Sequence, residues 1–247
     1  MNNNHLSVTQ LKMYLRCPLQ YKFRYLDGLK IPPASALTLG KSIHSALEVN
    51  YVRKIKTKDD LPVKQLTDLF SDFWDSGVKE TVFEEDEKPG QVKDEGIGLI
   101  SAYHNQVSPA IQPKIVEKEF ELSFQNVDYT LKGRLDLVDS QDIIIDHKTT
   151  KRSMPEDNAA KDLQLTCYAL AYRQTFGLQE SALRFDVMVR NKTPKIQQLS
   201  TQRSQEDIDR FLKILAYVSK AIKTGIFYPN ENYFCGMCGY KELCRGW

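Results

Sequence analysis

The first part of the chain has apolar residues at intervals of three and four, the spacing of an amphipathic helix. One helix is predicted to begin at a Ser7–Gln10 capping box and to end before Cys17-Pro18. Its predicted apolar face is formed by Leu11, Tyr14 and Leu15. A second helix is predicted over 38–53, with a buried face formed by Leu39, Ile43, Leu47 and Tyr51. From 61 to 107 the pattern stays helical around the acidic break FEEDEKPGQ, which indicates a helical insertion.

From Ile115 the apolar period changes to two. The runs KIVEKEFELSF, DYTLKGRLDLVD and DIIIDHKTT are separated by turn residues and predict an antiparallel meander. Helix is predicted again over 159–176, followed by a hairpin of LRFDVMVRN and KIQQLST and by a last helix in EDIDRFLKILAYVSKAIKTG. The apolar face of this last helix is formed by Ile208, Phe211, Leu212, Leu215, Val218 and Ile222. The element order predicts an α/β (α+β) fold with a mixed central sheet flanked by helices.

Composition places the chain among soluble globular proteins. With 247 residues, 41% of them hydrophobic and 27% charged, it suits one large domain or one domain with an insertion. No apolar run reaches the roughly 18 residues that span a bilayer, and the start MNNNHLSVTQ lacks the regions of a signal peptide. We therefore expect a cytoplasmic protein without membrane contact.

Charge is distributed unevenly along the chain. Residues 1–58 hold ten Lys or Arg against Asp27 and Glu48, whereas residues 59–110 hold twelve Asp or Glu against four Lys. The basic first quarter is suited to phosphate, and the acidic stretch is expected to form a solvated face away from any polyanion. Ordinary surface charge explains the same counts equally well.

The segment GRLDLVDSQDIIIDHKTT carries the most informative chemistry. A hairpin that turns through Ser140, Gln141 and Asp142 pairs residues whose numbers sum to 282, which places Asp136 opposite Asp146 with their Cβ atoms about 5 Å apart. Two carboxylates so close repel each other unless a cation lies between them, and their oxygens suit Mg²⁺ or Mn²⁺.

Side chains alternate along a strand, so Lys148 is expected on the same face as Asp146, with the His147 side chain pointing away. An ammonium at that position can orient a metal-bound water or balance charge on a phosphate. An isolated D-x-K is more often a surface ion pair. Here it follows the apolar run Ile143-Ile144-Ile145, as expected of a buried strand that ends in a charged residue.

These motifs resemble the RecB-like branch of the PD-(D/E)xK nuclease superfamily, which includes CRISPR-associated RecB-type exonucleases and nuclease domains of recombination helicases. The resemblance runs from SVTQLKMYLRCPLQYKFRY through LGKSIHSALE, GRLDLVD, IIDHKTT and QLTCYALAY to CGMCGYKELC. It implies a restriction-endonuclease-like core and a single nuclease domain over 1–247. Within it, the helical insertion is about 59–110, and an iron–sulfur region comprises 1–30 plus 225–247.

The resemblance also implies the site residues. Divalent-metal ligands would be His44, Asp136, Asp146 and the backbone carbonyl of His147. Catalytic positions would be Asp136, Asp146, Lys148, Gln164 and Tyr168. Gln164 and Tyr168 form a Q-x-x-x-Y motif on one helix face and could hold a phosphate or the lysine. Taken without the resemblance, His44 reads as a satisfied core histidine, and the Q-x-x-x-Y pair as a polar helix edge.

The cysteines form a second group. Cys235, Cys238 and Cys244 have the spacing of the iron–sulfur members of this family, with Cys17 as the lone upstream ligand, which implies a structural [4Fe–4S] cluster. Four cysteines suit a tetrahedral Zn²⁺ as well, and a disulfide is a weaker alternative in the cytoplasm. Cys167 is left over and is expected to be a small buried residue.

The function implied is that of a Mg²⁺- or Mn²⁺-dependent DNA nuclease, an exonuclease that prefers single strands, in DNA repair or recombination, phage or CRISPR adaptation. A catalytically silent DNA-binding subunit and a redox sensor remain as alternatives. No G-x-x-x-x-G-K-[ST] motif is present, so unwinding would need a helicase partner, and a CRISPR integrase is the other implied partner. The basic aromatic segment 21–25 could stack single-stranded bases or pack in the core.

Overall fold

A six-stranded mixed sheet forms the centre of the protein, which we describe over residues 4–247 of a computed structural model. The strands are β1 (His5–Leu6), β2 (Pro113–Leu122), β3 (Thr130–Asp139), β4 (Ile143–Thr150), β5 (Ala182–Val189) and β6 (Lys195–Thr201). β3 pairs with β2 on one side and with both β1 and β4 on the other, and β5 and β6 continue the sheet from β4. The β1–β3 and β4–β5 pairs are parallel and the other pairs are antiparallel.

The predicted meander and the register of its second hairpin are confirmed. Leu137 pairs with Ile145 and Val138 with Ile144, so the paired numbers sum to 282. The turn is closed by Asp139, whose Oδ1 accepts hydrogen bonds of 2.9 Å from the amides of Gln141 and Ile143. These bonds fix the turn locally, and the turn fixes which side chains of β3 and β4 lie opposite each other.

Helices cover both faces of the sheet. Those longer than one or two turns are α1 (Val8–Arg16), α3 (Ser35–Thr57), α4 (Val63–Gly77), α5 (Pro89–Gln106), α7 (Leu163–Phe176) and α8 (Gln205–Lys223). The short ones are α2 (Pro18–Tyr21), α6 (Asn158–Lys161) and α9 (Lys241–Arg245). α1, α7 and α8 bury one face of the sheet, and α3, α4 and α5 bury the other. Within residues 4–247, every helix is too short or too polar to cross a bilayer.

The acidic stretch 59–110 contributes to the core as well as to the surface. Phe70, Trp74 and Tyr103 of α4 and α5 are fully buried in the cluster that covers Leu137 and Ile145 of the sheet. Part of its charge is also paired: Glu87 and Glu95 bind Arg190, and Glu84 and Glu87 bind Lys151. The expectation of a solvated acidic face is therefore wrong for Glu87, whose side chain is only 10% exposed, whereas Glu84 remains 67% exposed.

Two local expectations also differ from the structure. Leu15 is 43% exposed, because α1 buries only its Leu11 and Tyr14 side against the sheet. The helix predicted over 159–176 is broken at Asp162, whose side chain instead caps α7 by accepting from the Gln164 amide at 2.6 Å. Gly133, in contrast, has a clear packing reason, because a Cβ there would lie 2.4 Å from the ring of Phe120 on β2.

The C-terminal tail folds back on the N-terminal helices. The side-chain amides of Asn230 and Asn232 donate to the Arg16 carbonyl at 3.0 and 3.1 Å. The Tyr240 hydroxyl donates to the Leu29 carbonyl at 2.7 Å. These bonds bring the last three cysteines to the end of α1, where Cys17 lies.

Candidate active site

The two predicted acids lie where β3 and β4 separate. Their ladder ends at the Leu137–Ile145 pair, and beyond it β3 stays paired with β2 and β4 with β5. Asp136 and Asp146 are the next residues on the two strands, one step past the ladder. The His147 amide lies 3.4 Å from Asp136 Oδ2 across this gap. The fork thus opens space between the two strands, directly beside two carboxylates.

His44 of α3 reaches into the fork. Its Nδ1 lies 3.3 Å from Asp136 Oδ2, and its Nε2 lies 2.8 Å from the His147 carbonyl oxygen. Neighbouring ligands of an octahedral ion with bonds of about 2.1 Å lie about 3 Å apart, so the spacing of His44 Nδ1 and Asp136 Oδ2 suits a divalent cation, while Nε2 forms a hydrogen bond with the His147 carbonyl. Its side chain is 31% exposed, so His44 is not the enclosed core histidine of the alternative interpretation.

A ring nitrogen of His147 also belongs to this group. Ligand atoms of His44, Asp136 and His147 all lie within 4.8 Å of one another. The sequence assigned His147 a role through its carbonyl alone, so the ring adds a donor. The carboxylate of Asp146 is not part of this three-residue group and turns towards Lys148 instead.

Asp146 is a fully buried carboxylate with incomplete pairing. Lys148 Nζ lies 2.6 Å from its Oδ2, yet neither oxygen receives a well-aligned hydrogen bond. Burial raises the pKa of Asp146 to about 6, against the lowering effect of Lys148 and with a further rise from Asp136. A buried carboxylate without hydrogen bonds is costly, and a bound cation would stabilise it. This observation fits the donor set to a metal ion.

A chain of contacts runs from Asp146 to Asp136 through the other predicted residues, Lys148, Gln164 and Tyr168. Lys148 Nζ donates to Gln164 Oε1 at 2.9 Å, and Gln164 Nε2 donates to the Tyr168 hydroxyl at 2.9 Å. Tyr168 in turn donates to Asp136 Oδ1 at 3.0 Å. Burial raises the pKa of Tyr168 well above its usual value, so it remains a neutral donor. The pKa of Lys148 is also raised, because the charge of Asp146 outweighs the effect of burial, so Lys148 stays charged.

Glu117 is a third acid at the site and was not identified from the sequence. It lies on β2 opposite Asp136 in register, with a left-handed φ of 48°. Its Oε2 forms an ion pair with Arg134 Nε but receives no well-aligned hydrogen bond. Burial raises its pKa to about 7, and the charges of Asp136 and Asp146 add to the rise. The nearness of three acids indicates a site with surplus negative charge.

Comparison with known proteins identifies the family. The sequence model of the PD-(D/E)XK nuclease superfamily matches residues 5–245. The chain belongs to the PD-(D/E)XK nuclease superfamily. Nucleases of this superfamily act on nucleic acid and use divalent metal ions, and the group of His44, Asp136 and His147 is able to bind one.

Among similar solved structures, one supports the fold of this nuclease. One described as a "Putative exonuclease" from Eubacterium rectale covers 99% of this chain and 88% of its own, with 13% identity and a TM-score of 0.67. That likeness shows a shared fold. The structure of SSO0001 covers 100% of this chain and 88% of its own at 12% identity, but its TM-score of 0.48 adds nothing to the argument. No curated protein matches the nuclease.

A buried polar network behind the site is a second feature that the sequence did not indicate. Tyr103 of α5 donates to Asp186 Oδ2 at 2.7 Å and lies 3.0 Å from His147 Nε2. Because its proton is directed at Asp186, His147 must donate from Nε2, which leaves the Nδ1 lone pair free for a metal ion. Burial lowers the pKa of His147 well below its usual value and so favours this neutral form.

The four predicted cysteine ligands line one cavity of the nuclease. This cavity of about 370 Å³ is bordered by Cys17 at the end of α1 and by Cys235, Cys238 and Cys244 of the tail. Burial and the nearness of the other three thiols raise the pKa of Cys244. Cys167 is fully buried in α7 and apart from this cavity, as expected, and burial raises its pKa strongly. All five cysteines are free thiols.

Proposed function

We propose that this nuclease hydrolyses phosphodiester bonds of DNA with Mg²⁺ or Mn²⁺, as an exonuclease that prefers single strands. The observation that carries the proposal is the fully buried Asp146 carboxylate, which is paired with Lys148 but receives no well-aligned hydrogen bond and is joined to Asp136 through Lys148, Gln164 and Tyr168. A purely structural carboxylate would have its hydrogen bonds satisfied. An acid left unsatisfied beside a cleft is suited to hold a reactive cation.

Each side chain at the fork has a role in this proposal. His44, Asp136 and His147 would hold the metal ion, and Asp146 would join them by turning its carboxylate from Lys148 towards the ion. When bound, the ion supplies a Lewis acid and an activated water. Lys148 is the only lysine or arginine among the predicted site residues, and it stays charged because the charge of Asp146 outweighs the effect of burial on its pKa. It can therefore orient the attacking water or balance charge on the phosphate.

Gln164 and Tyr168 would position Lys148 and Asp136. Gln164 accepts from Lys148 Nζ and so fixes the direction of the ammonium group. Tyr168 contacts both Gln164 and Asp136 and holds that carboxylate from the helical layer. Held in this way, the charged groups need little reorganisation when charge develops on the phosphate, which is the main electrostatic source of catalysis.

The cleft at the fork is suited to a phosphate backbone. A cavity of about 530 Å³ is lined by His44, Glu117 and Lys148 together with Lys41 and Arg134, of which Arg134 is paired with Glu117. Cations lining the cavity attract the polyanion towards an acidic centre that would otherwise repel it. We infer that the metal ion and these cations act together to admit the substrate.

The finer features of the proposal rest on resemblance. The exonuclease mode is supported by the similar structure from Eubacterium rectale, which is described as a "Putative exonuclease". A role in DNA repair, recombination, phage biology or CRISPR adaptation, with a helicase or integrase partner, follows from the RecB-like motifs. The single domain over 1–247, with its insertion at 59–110, belongs to the same proposal.

The cysteine cavity is proposed to hold a structural [4Fe–4S] cluster. Its donor set is four thiols, from Cys17, Cys235, Cys238 and Cys244, which fits the four thiolates that such a cluster requires. The segments joined there are 1–30 and 225–247. A link between the two ends of the chain would restrict a very long loop in the unfolded state and thereby stabilise the fold.

A cleavage assay tests the proposed activity. End-labelled single-stranded and duplex DNA are incubated with anaerobically purified protein and Mn²⁺, Mg²⁺ or EDTA, beside Asp146→Ala and, as a control, Asp128→Ala of an exposed loop. We expect metal-dependent cleavage by the wild type and the control only, with single strands cleaved faster. Equal cleavage by Asp146→Ala would place the activity elsewhere, and no cleavage by any form would favour a silent DNA-binding subunit.

A further inference from the structure

A cleft extends from beside the fork across the exposed side of α1 to the C-terminal tail. Its first part, about 360 Å³, is lined by Lys148, Lys12 and Lys161. Its second part, about 680 Å³, is lined by Gln164, Lys12 and Arg16 and ends at Tyr233 and Phe234. The two parts adjoin at Lys12, and Lys148 of the first contacts Gln164 of the second, so the cleft lies beside the acid site.

The tail end of this cleft exposes aromatic rings. Tyr233 is 86% exposed and Phe234 is 49% exposed, and their ring centroids are 5.7 Å apart at nearly a right angle. The Arg16 guanidinium lies 5.3 Å from the centre of the Phe234 ring. Two adjacent exposed aromatic side chains with a stacked arginine are unusual on a solvent face, and each of the three groups can stack on a nucleobase.

The cations along the cleft give it the charge that a phosphate backbone needs. Lys12 pairs with Asp162 at 2.8 Å and Lys161 pairs with Asp157, so both are partly neutralised. Arg16 takes part in none of the ion pairs found among residues 4–247, and its guanidinium donates to Gln20 instead. The positive charge that remains is thus concentrated beside the exposed rings.

We propose that single-stranded DNA occupies this cleft, with unpaired bases stacked on Tyr233 and Phe234 and its phosphates beside Lys12 and Arg16. These four residues are called the aromatic track below. The proposal rests on the proposed nuclease function and assigns a place to the substrate strand outside the acid site.

The exposed rings of the track favour a single strand over a duplex. From Thr9 to Arg16, α1 advances by about 10 Å, which is room for about three stacked nucleotides at about 3.4 Å each. Bases within a duplex are already stacked on their neighbours, whereas unpaired bases can be splayed onto protein rings. Exposed rings at the end of the track therefore select unpaired bases.

This placement differs from the aromatic platform predicted at residues 21–25. Tyr21 is 2% exposed and packs against Tyr14, Tyr25 and Phe227. Phe23 contacts Tyr240. These aromatic rings therefore pack in the core or against the C-terminal tail, which was the alternative to base stacking for residues 21–25. The exposed rings lie in the tail, at Tyr233 and Phe234.

A binding experiment tests the track separately from catalysis. Fluorescence anisotropy of a labelled oligothymidine in EDTA is measured for the wild type, Tyr233→Ala with Phe234→Ala, Tyr233→Phe, and Tyr217→Ala as a control on α8 with a 75% exposed ring. We expect the double alanine variant to bind roughly fivefold to 100-fold more weakly, the range of base stacking on aromatic rings. Tyr233→Phe and Tyr217→Ala should stay near wild type.

Three results would contradict the binding of single-stranded DNA at the aromatic track. They are unchanged affinity of the double variant, an equal loss for duplex DNA, or a loss in Tyr233→Phe as large as in the alanine variant, which would show that stacking is not involved. Hydrolysis of bis(p-nitrophenyl) phosphate with Mn²⁺ reports the acid site alone, because this ester is too short to reach the tail. A wild type that binds through the track but hydrolyses neither substrate would reject the proposed function and keep the track.

Discussion

The Tyr168 hydroxyl donates a 3.0 Å hydrogen bond to Asp136 Oδ1 and thereby connects helix α7 to the acid of β3. The same hydroxyl accepts from Gln164, which in turn holds Lys148. The orientation of both acids thus depends on one buried helix face. We propose that the hydrogen bonds of Gln164 and Tyr168 position Lys148 and Asp136 for catalysis.

Tyr168→Phe should lower kcat for DNA cleavage roughly tenfold to 150-fold with little change in KM, because a hydrogen bond to a charged group contributes about 1.5–3 kcal/mol. Steady-state kinetics on an oligonucleotide checks this. Tyr172→Phe is the matched control, since Tyr172 lies one turn further along α7 and donates to Asp142 Oδ1 at 2.6 Å, outside the fork. Equal losses in the two variants would assign Tyr168 a purely structural role.

The sequence predicted those parts of the site that depend on local regularity. Alternation along β4 and the short turn at 140–142 were enough to predict the register of the Leu137–Ile145 and Val138–Ile144 pairs, since a slip by one residue would expose the apolar run before Asp146. That the strands separate before the predicted Asp136–Asp146 pair was not predicted. The four-residue spacing of Gln164 and Tyr168 likewise put both side chains on one helix face. In each case a few neighbouring residues determine the geometry.

The residues that the sequence missed depend on contacts between distant segments. Glu117 faces Asp136 only because of the β2–β3 register, and the intervening loop does not set that register by a short turn. Tyr103 meets His147 only because α5 packs on the same face as α3. Tyr233 and Phe234 border the cleft only after the tail returns to α1. Apolar periodicity gives no signal for such packing.

Glu117→Gln should change how stability depends on pH in EDTA. The folded-state pKa of Glu117 is raised to about 7, above its ordinary value of 4.5, so the stability it contributes is present below about pH 4.5 and is lost as the pH rises through 7. We therefore expect the Tm of Glu117→Gln, relative to wild type, to rise between pH 4.5 and pH 8. A constant Tm difference across this range would contradict the raised pKa.

Tyr103→Phe should destabilise the fold by about 1–3 kcal/mol, because it removes a donor from the fully buried Asp186 and the acceptor of His147. Urea unfolding measures the change. The freed His147 ring should also weaken metal binding, which calorimetry with Mn²⁺ detects. Tyr51→Phe serves as a control, because Tyr51 donates only to the Tyr103 hydroxyl at 3.2 Å. Identical effects of the two variants would argue against a specific role for the His147 contact.

Cys17→Ser and Cys244→Ser should each lose the iron of anaerobically purified protein, whereas Cys167→Ala should keep it. The physical reason is that the first two thiols line the shared cavity and Cys167 does not. Elemental analysis with visible absorption spectra checks the prediction. Stoichiometric zinc in the wild type would select the tetrahedral alternative, and full iron content in Cys17→Ser would remove Cys17 from the ligand set.

The most direct test of the account is whether the fork binds a divalent metal ion. Electron paramagnetic resonance of free Mn²⁺ is followed during titration with wild-type protein, with the double variant His44→Ala and Asp136→Asn, and with Asp128→Asn as a control. We predict that the wild type and the control bind Mn²⁺ and that the double variant does not. Equal Mn²⁺ binding by all three proteins would contradict a metal site at His44 and Asp136, and with it the proposed mechanism of cleavage.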